Sequence, residues 1–217
     1  KVFFLNPLFY FNRANTRSLY RVPSSSSTLT PQKRYVIEQT MERLYTASEI
    51  ARKVTELGNE ISQVYKGQEL FVIGILKGGF MFMADLVRSI RLPMKIEFAR
   101  LSSYGDGDSP VGDVSIIDDI HEDIAGRHVL IVDDIMDTGH SLCAFKKHLE
   151  NKGPASVRIC TMIDKTVRRE ASIAPDYYGF RITDGFVVGY GLDFAEEYRT
   201  LPELYVLEPS ETGGSQK

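Results

Sequence analysis

The sequence contains no tryptophan, only two cysteines and no long hydrophobic run. Cys143 and Cys160 lie in apolar surroundings with neither CxxC nor Cys/His ligand spacing, which argues against a disulfide framework and a zinc site and predicts two buried thiols. No apolar stretch approaches the ~18 residues of a membrane-spanning helix, so we expect no membrane partner. The overall composition is that of an ordinary globular domain.

Acidic residues are missing from residues 1–37, which carry six basic residues. The remainder has 20 basic and 29 acidic residues, so it is acidic and we expect no nucleic-acid partner. A basic, serine-rich and acid-poor stretch is typical of an organelle transit peptide, and a disordered extension is the alternative. The sequence therefore divides into an N-terminal extension (1–37), one folded domain (38–210) and a short tail predicted to be disordered (211–217).

Strand and helix patterns alternate along the folded part. Thr46 and Glu49 have the spacing of a capping box, apolar residues then recur at helical intervals, and Gly67 closes the helix. A continuous apolar run, Leu70 to Leu76, predicts a strand covered on both faces. Further helices are predicted over 80–90 and 141–152, and further strands over 96–101, 129–132, 157–163 and 186–188. This order predicts βαβ units around a parallel sheet, with ligands bound beyond the carboxyl ends of the strands.

Two adjacent carboxylates, Asp133 and Asp134, follow the buried strand at 129–132. Such a pair suits ribose hydroxyls or a hard cation that also contacts the substrate. A strand ending in solvated aspartates is the plainer alternative.

A third carboxylate, Asp137, opens the turn Thr138-Gly139-His140-Ser141 at a predicted helix start. The free backbone N–H groups there, together with two hydroxyls, suit a phosphate group, and the helix dipole favours the anion. Gly139 allows the backbone to approach that phosphate closely.

Four other segments lie in turns or at strand ends and carry residue types that suit ligand binding. Residues 76–79 read Leu-Lys-Gly-Gly directly after a buried strand, so their backbone N–H groups can face a diphosphate. Residues 102–112 form a long Ser/Gly/Asp-rich loop, and loops of that length are usually functional or disordered. Residues 164–165 read Asp-Lys at the end of a strand. Residues 186–199 carry an aromatic residue, a carboxylate and an arginine around a glycine turn.

In this order the segments resemble the motifs of type I phosphoribosyltransferases, and in particular those of the hypoxanthine-guanine phosphoribosyltransferase family. The resemblance covers about residues 42–207. It implies an α/β fold in which a central, mostly parallel sheet is flanked by helices and joined to a small hood subdomain. It also implies transfer of a phosphoribosyl group from 5-phosphoribosyl 1-diphosphate (PRPP) to hypoxanthine or guanine, with Mg²⁺ as cofactor.

The resemblance assigns roles to individual residues. For the ribose and 5′-phosphate of PRPP it implies Asp133, Asp134, Asp137, Thr138, Gly139, His140 and Ser141. For the diphosphate it implies Lys77, Gly78 and Arg199, with a cis peptide between Lys77 and Gly78. It implies that Ser103 and Tyr104 belong to a lid, which would exclude water from an oxocarbenium-like centre.

The purine contacts and the metal ligands are implied in the same way. Lys165 donates to the oxygen at purine position six, which selects 6-oxopurines over adenine. Phe186 stacks on the purine ring and Val187 offers backbone hydrogen bonds. Asp137 is the catalytic residue that holds the proton of purine nitrogen seven. Asp133, Asp134 and Asp193 are the expected metal ligands.

Some positions depart from the commonest family pattern. Asp133 stands where Glu is usual, His140 where Lys is frequent, Thr166 in place of Pro, and Phe194 in place of Tyr. These departures bear on fine substrate preference and PRPP affinity and not on the reaction. A xanthine-preferring enzyme is the alternative within the family, and a nucleotide-sensing regulator on the same fold is the alternative from another class. The resemblance also predicts a homodimer or homotetramer and a cytoplasmic location, unless residues 1–37 direct the chain to an organelle.

Overall fold

The structure, a computed structural model, describes residues 41–103 and 114–207. Its described part contains two sheets and three helices. The helices are α1 (Ala47–Val64), α2 (Phe80–Ser89) and α3 (His140–Glu150). The strands are β1 (Met41–Tyr45), β2 (Leu70–Leu76), β3 (Met94–Ser103), β4 (Val114–Asp118), β5 (His128–Met136), β6 (Ser156–Lys165), β7 (Tyr177–Ile182), β8 (Phe186–Val188) and β9 (Leu204–Leu207).

Helix α1 begins with the predicted capping box. The side-chain hydroxyl of Thr46 accepts a hydrogen bond from the Glu49 backbone N–H at 3.3 Å, and the Thr46 N–H donates to Glu49 Oε2 at 2.8 Å. Two of the backbone donors that a helix start leaves unpaired are thus satisfied. The apolar positions Ile50, Val54 and Leu57 are buried, so the helical periodicity of the sequence marks the face that packs on the sheet.

The larger sheet has six strands in the order β4-β3-β2-β5-β6-β7. All neighbouring strands are parallel except β3 and β4, which are antiparallel. Strand β2 lies between β3 and β5, and its first six residues are buried. A continuous apolar sequence was expected for such a doubly covered strand, and the prediction is confirmed.

Two separate cores cover the faces of this sheet. On one face α1 and α2 pack against alternate strand residues such as Leu70, Val72 and Leu130. On the other face α3 packs against the intervening residues, such as Phe71 and Ile131. Each central strand therefore contributes side chains to both cores. The strands whose carboxyl ends carry the site are thus packed on both faces.

A smaller antiparallel sheet has the order β1-β9-β8 and forms the hood. The strand at 186–188 was predicted as one of the strands around the parallel sheet, and that prediction is wrong. A run of three apolar residues does not specify its partner, because pairing with β9 depends on residues far along the chain. Strands β1, β4, β7 and β9 were not predicted at all.

Both cysteines are free, in agreement with the absence of ligand spacing. Cys160 is fully buried in β6, and this burial raises the pKa of its thiol. Cys143 in α3 is only partly buried, so the prediction of two buried thiols is wrong for this residue. Among residues 41–103 and 114–207, no helix has both the length and the apolar character needed to cross a membrane.

Candidate active site

The carboxyl ends of three adjacent parallel strands meet at one edge of the larger sheet. Strands β2, β5 and β6 end at Leu76, Met136 and Lys165, so the segments that follow them lie side by side. A cavity of about 210 Å³ opens at this edge. Its lining consists of the end of β5 and the start of α3, namely residues 133–139, 141 and 142.

The carboxylate pair lies at the end of β5 inside this cavity. Asp133 Oδ1 accepts from the backbone N–H of Asp134 and Asp134 Oδ1 from that of Ile135, each at 2.9 Å. Burial, followed by the neighbouring charge of Asp134, raises the pKa of Asp133 well above its usual range. Burial also raises the pKa of Asp134. Two adjacent carboxylates that resist ionisation favour a compensating cation or hydroxyl donors in this cavity.

The turn after β5 has the geometry predicted for a phosphate loop. Gly139 has φ 86°, in the left-handed region that favours glycine, and it caps the start of α3. Thr138 and Ser141 line the cavity beside it. His140 does not line the cavity: its Nε2 lies 2.8 Å from Glu170 Oε2. The resemblance assigned His140 to the phosphate, whereas its side chain here is engaged with Glu170.

The two oxygens of Asp137 have different surroundings. Oδ2 lies 3.6 Å from Lys165 Nζ and 3.4 Å from a terminal nitrogen of Arg168. Oδ1 is buried and, within the described part of the chain, has no hydrogen-bond partner. A buried oxygen without a donor loses hydration that nothing replaces, so Oδ1 is the atom on which a substrate N–H would find an acceptor.

Lys165 ends β6 and is almost completely buried. Its ammonium lies between two carboxylates, Asp137 Oδ2 at 3.6 Å and Asp184 Oδ1 at 3.4 Å. Asp184 was not predicted, since it lies in a turn before Phe186 where an aspartate is ordinary. Hydrogen bonds from the Gly185 backbone, and then from Lys165, lower the pKa of Asp184, so this carboxylate is ionised opposite the ammonium.

Arg169 connects the ends of β5 and β6. Its guanidinium donates to the backbone oxygens of Met136 at 3.0 Å, Asp137 at 2.9 Å and Lys165 at 3.1 Å. It also forms an ion pair of 2.6 Å with the buried carboxylate of Asp164. No role was predicted for Arg169, because its main partners are backbone oxygens that leave no trace in the sequence. It fixes the relative position of Asp137 and Lys165.

The loop after β2 approaches the carboxylate pair. A Cβ added to Gly78 would overlap the carboxylate of Asp134, so only glycine fits there without displacing that side chain. The cis peptide lies between Leu76 and Lys77, one bond before the position that the resemblance implied. Neither bond involves proline, so the residue types alone do not distinguish the two. Lys77 Nζ lies 3.1 Å from both carboxylate oxygens of Glu196.

Residues 186–199 approach the loop after β2, since a Cβ added to Gly191 would overlap the backbone oxygen of Gly78. Phe186 is half exposed, and its ring meets that of Phe194 edge to face, with centroids 5.2 Å apart. Val187 is buried in β8. Asp193 Oδ1 lies 2.8 Å from a terminal nitrogen of Arg199, so the predicted metal ligand and diphosphate ligand are themselves an ion pair. Of the predicted lid, Ser103 is the last residue of β3, and Tyr104 lies outside the described residues.

A mostly parallel α/β sheet with a carboxylate pair and a helix start at its carboxyl edge is an arrangement in which α/β domains commonly bind phosphorylated ligands. Residues 40–195 match the phosphoribosyl transferase domain family, and the chain belongs to that family.

The relatives include two curated bacterial proteins. The chain is 45% identical over 168 residues to the hypoxanthine phosphoribosyltransferase of Salmonella typhimurium, covering 76% of this chain and 94% of that protein. It is 43% identical over 172 residues to the hypoxanthine-guanine phosphoribosyltransferase of Mycobacterium avium, covering 76% and 85%.

A solved structure agrees in sequence and in fold. The crystal structure of a hypoxanthine phosphoribosyltransferase from Staphylococcus aureus superimposes with a TM-score of 0.75 at 40% identity. The match covers 80% of this chain and 94% of that one. The α/β fold with a mostly parallel central sheet that the sequence predicted is thereby confirmed.

Proposed function

We propose that the chain transfers the 5-phosphoribosyl group of PRPP to hypoxanthine or guanine, which gives IMP or GMP and diphosphate in purine salvage. The observation that carries this proposal is the arrangement of Asp137. One of its oxygens faces Lys165, and the other is buried with no partner in the described part of the chain. A 6-oxopurine presents both an oxygen that accepts from an ammonium and an N–H that donates to a carboxylate, and therefore matches both groups.

The phosphoribosyl donor is bound along the cavity at the end of β5. Asp133 and Asp134 accept from the ribose hydroxyls, and the N–H groups from Thr138 to Ser141 hold the 5′-phosphate at the start of α3. Lys77, Gly78 and Arg199 hold the diphosphate, where negative charge develops as the bond to the anomeric carbon breaks. The planar guanidinium of Arg199 is suited to two phosphate oxygens at once.

The purine is bound between Phe186 and Lys165. Phe186 stacks on the ring, the backbone of Val187 accepts and donates at its edge, and Lys165 donates to the oxygen at position six. Nitrogen nine attacks the anomeric carbon, and the diphosphate leaves with the bonding electron pair. Asp137 Oδ1 accepts the proton of nitrogen seven in the same step, so the purine of the product carries no extra proton.

Mg²⁺ is the cofactor that the donor set fits. The group of three His, Cys, Asp or Glu residues that a fully protein-bound metal needs does not occur among residues 41–103 and 114–207. Mg²⁺ commonly takes one or two carboxylates and completes its shell with substrate oxygens and water, which suits the partly buried carboxylates Asp133, Asp134 and Asp193. When bound it supplies positive charge beside the ribose and diphosphate oxygens.

The lid belongs to the same proposal. Ser103 is the last residue of β3, which ends at the site edge of the sheet, and Tyr104 follows it in the sequence. Closure over PRPP would exclude water, since hydrolysis of the ribosyl centre competes with transfer.

The test is diphosphate release with PRPP and Mg²⁺, with hypoxanthine, guanine, xanthine, adenine and uracil offered separately. Turnover with the first two and none with adenine is the expected result. Faster turnover with xanthine than with hypoxanthine or guanine would mean that xanthine is the purine acceptor in the same reaction. No turnover with any base, alongside measurable PRPP binding, would contradict the enzyme and favour a nucleotide-sensing regulator.

The remaining proposals rest on the family and on composition. We propose that residues 38–210 form the functional domain and that the protein assembles as a homodimer or homotetramer in the cytoplasm. Light scattering after size-exclusion chromatography measures the assembly. Fractionation of cells expressing the chain with and without residues 1–37 tests the alternative of organelle targeting.

A further inference from the structure

One carboxylate, that of Glu196, contacts both cations assigned to the diphosphate. Lys77 Nζ lies 3.1 Å from each of its two oxygens. A terminal nitrogen of Arg199 lies 3.4 Å from Oε2. The N–H donors that would meet diphosphate oxygens therefore already meet an anion of this chain.

The backbone holds Glu196 in this position. Ala195 and Glu196 have φ 52° and 66°, in the left-handed region that residues with a side chain rarely adopt. The turn is closed by paired backbone hydrogen bonds between Phe194 and Glu197, of 3.2 and 2.9 Å, and the Glu196 N–H donates to Asp193 Oδ2 at 2.9 Å. Such a conformation persists where the surrounding structure determines it and is common at functional sites.

The charges of the four side chains cancel. Lys77 and Arg199 carry one positive charge each, and Asp193 and Glu196 one negative charge each. The hydrogen bond and charge of Lys77 lower the pKa of Glu196, so its carboxylate is ionised. A formally neutral group has little attraction for a free diphosphate, whereas the same group without Glu196 carries a net charge of +1.

Little free energy is needed to break this contact, because Glu196 is on the surface. Its side chain is 65% exposed and that of Lys77 is 52% exposed. An ion pair of this kind in water is weak, so an incoming diphosphate with several anionic oxygens displaces the carboxylate without leaving a buried charge behind.

We propose that Glu196 is an internal substitute for the diphosphate. It pairs with Lys77 and Arg199 in the free enzyme, gives up both when PRPP is bound, and pairs with them again as diphosphate leaves. The contact thereby weakens retention of a product that would otherwise occupy the site. This inference rests on the proposed function, since it takes Lys77 and Arg199 as the diphosphate ligands.

The test is calorimetric titration of inorganic diphosphate, with Mg²⁺ present, into the full chain and two variants. Glu196→Gln keeps the shape of the side chain and removes its charge. Glu197→Gln is the matched control, because Glu197 is the exposed neighbour whose backbone closes the same turn. We expect diphosphate to bind about three- to tenfold more tightly to Glu196→Gln and with unchanged affinity to Glu197→Gln.

Three results would overturn the inference in different ways. Equal affinity in all three chains, with normal turnover of PRPP, would reject Glu196 as a competitor and leave the proposed function intact. Weaker binding by Glu196→Gln would mean that Glu196 orients Lys77 for the diphosphate instead of opposing it. Absence of both diphosphate binding and PRPP turnover in the unmodified chain would reject the proposed function together with the inference.

Discussion

Lys165 Nζ lies 3.6 Å from Asp137 Oδ2, so the group proposed to recognise the purine oxygen contacts the group proposed to hold the purine proton. Asp137 directly follows β5 and Lys165 ends the neighbouring parallel strand β6, and Arg169 donates to the backbone oxygens of both. The side chains proposed to recognise the base and to accept its proton are therefore held in place by the same residue, Arg169.

Replacement of Asp137 by alanine should remove the proton acceptor and spare substrate binding. We expect kcat to fall by ~10²–10⁴, the range for a lost general base, with a smaller change in the KM for PRPP. Steady-state kinetics with hypoxanthine measure both parameters. A kcat within about tenfold of the parent value would show that Asp137 does not act on the proton.

Lys165→Gln should weaken the selection of 6-oxopurines over adenine. The amide of glutamine can present either an acceptor or a donor, whereas an ammonium only donates. The ratio of kcat/KM for hypoxanthine to that for adenine should fall at least ~tenfold. Arg168→Gln is the control, because Arg168 also reaches Asp137 but is assigned no contact with the base. An equal change of the ratio in both variants would contradict the assignment.

Gly78→Ala should displace Asp134 from the cavity. The added Cβ would overlap the Asp134 carboxylate, and strain of this type costs roughly 1–3 kcal/mol. We expect kcat/KM for PRPP to fall by about 10- to 100-fold. At Gly67 an added Cβ meets no atom within 4 Å, but the φ of 79° disfavours alanine, so Gly67→Ala should lower stability and leave kcat and KM unchanged at a temperature where the variant is folded.

Arg169→Lys should destabilise the domain and slow catalysis together. A lysine keeps the charge but cannot donate at once to three backbone oxygens and to Asp164. We expect the free energy of unfolding to fall by about 2–3 kcal/mol and kcat to fall more than tenfold at a temperature where the variant is folded. Arg181→Lys, which alters the more exposed partner of Asp164, should cost less than about 1 kcal/mol. Equal losses of stability in the two variants, with kcat retained in Arg169→Lys, would assign Arg169 a purely structural role.

Asp119 gives a pH-dependent contribution to stability away from the site. Burial would raise the pKa of Asp119, but hydrogen bonds from Lys152, His148 and the Ile120 backbone outweigh it and lower the pKa. A lowered pKa in the folded state means stabilisation that is present above the unfolded-state value of about 3.9 and is lost as the pH falls through the folded-state value.

Urea unfolding of Asp119→Asn at several pH values measures this contribution. We expect a loss of about 1 kcal/mol at pH 5 and above, which shrinks below pH 4. The exposed Asp118→Asn should show little change. A loss of stability that persists at the lowest pH would indicate packing and not charge.

The sequence predicted the parts of the fold that are encoded locally. The capping box at Thr46, the apolar run of β2 and the start of α3 at Gly139 each depend on a few consecutive residues, and each is found where it was expected. The pairing of β1 with β9 joins residues about 160 positions apart and has no local signal.

The residues of the candidate site likewise fall into those that local sequence predicted and those that depend on distant parts of the chain. Asp137 and Lys165 were assigned from motifs at strand ends, and a parallel sheet brings such ends together. Arg169, Asp184 and Glu196 were missed because their partners are backbone oxygens or side chains that come close only on folding. His140 was placed by its position in the loop, and its contact with Glu170 depends on a segment 30 residues later.

The strand order of the small sheet determines when this sheet can be completed during synthesis of the chain. Phe186 is paired with Leu207 in β9, and β9 in turn pairs with β1. The middle strand of the hood is thus the last one to leave the ribosome, and it must insert between two strands synthesised earlier. Strand β8, which carries the proposed purine contacts Phe186 and Val187, therefore has no partner in this sheet until β9 has been synthesised. We expect a chain truncated before residue 204 to lose the proposed support for the base, whereas the turn at Gly139 precedes that point by more than 60 residues.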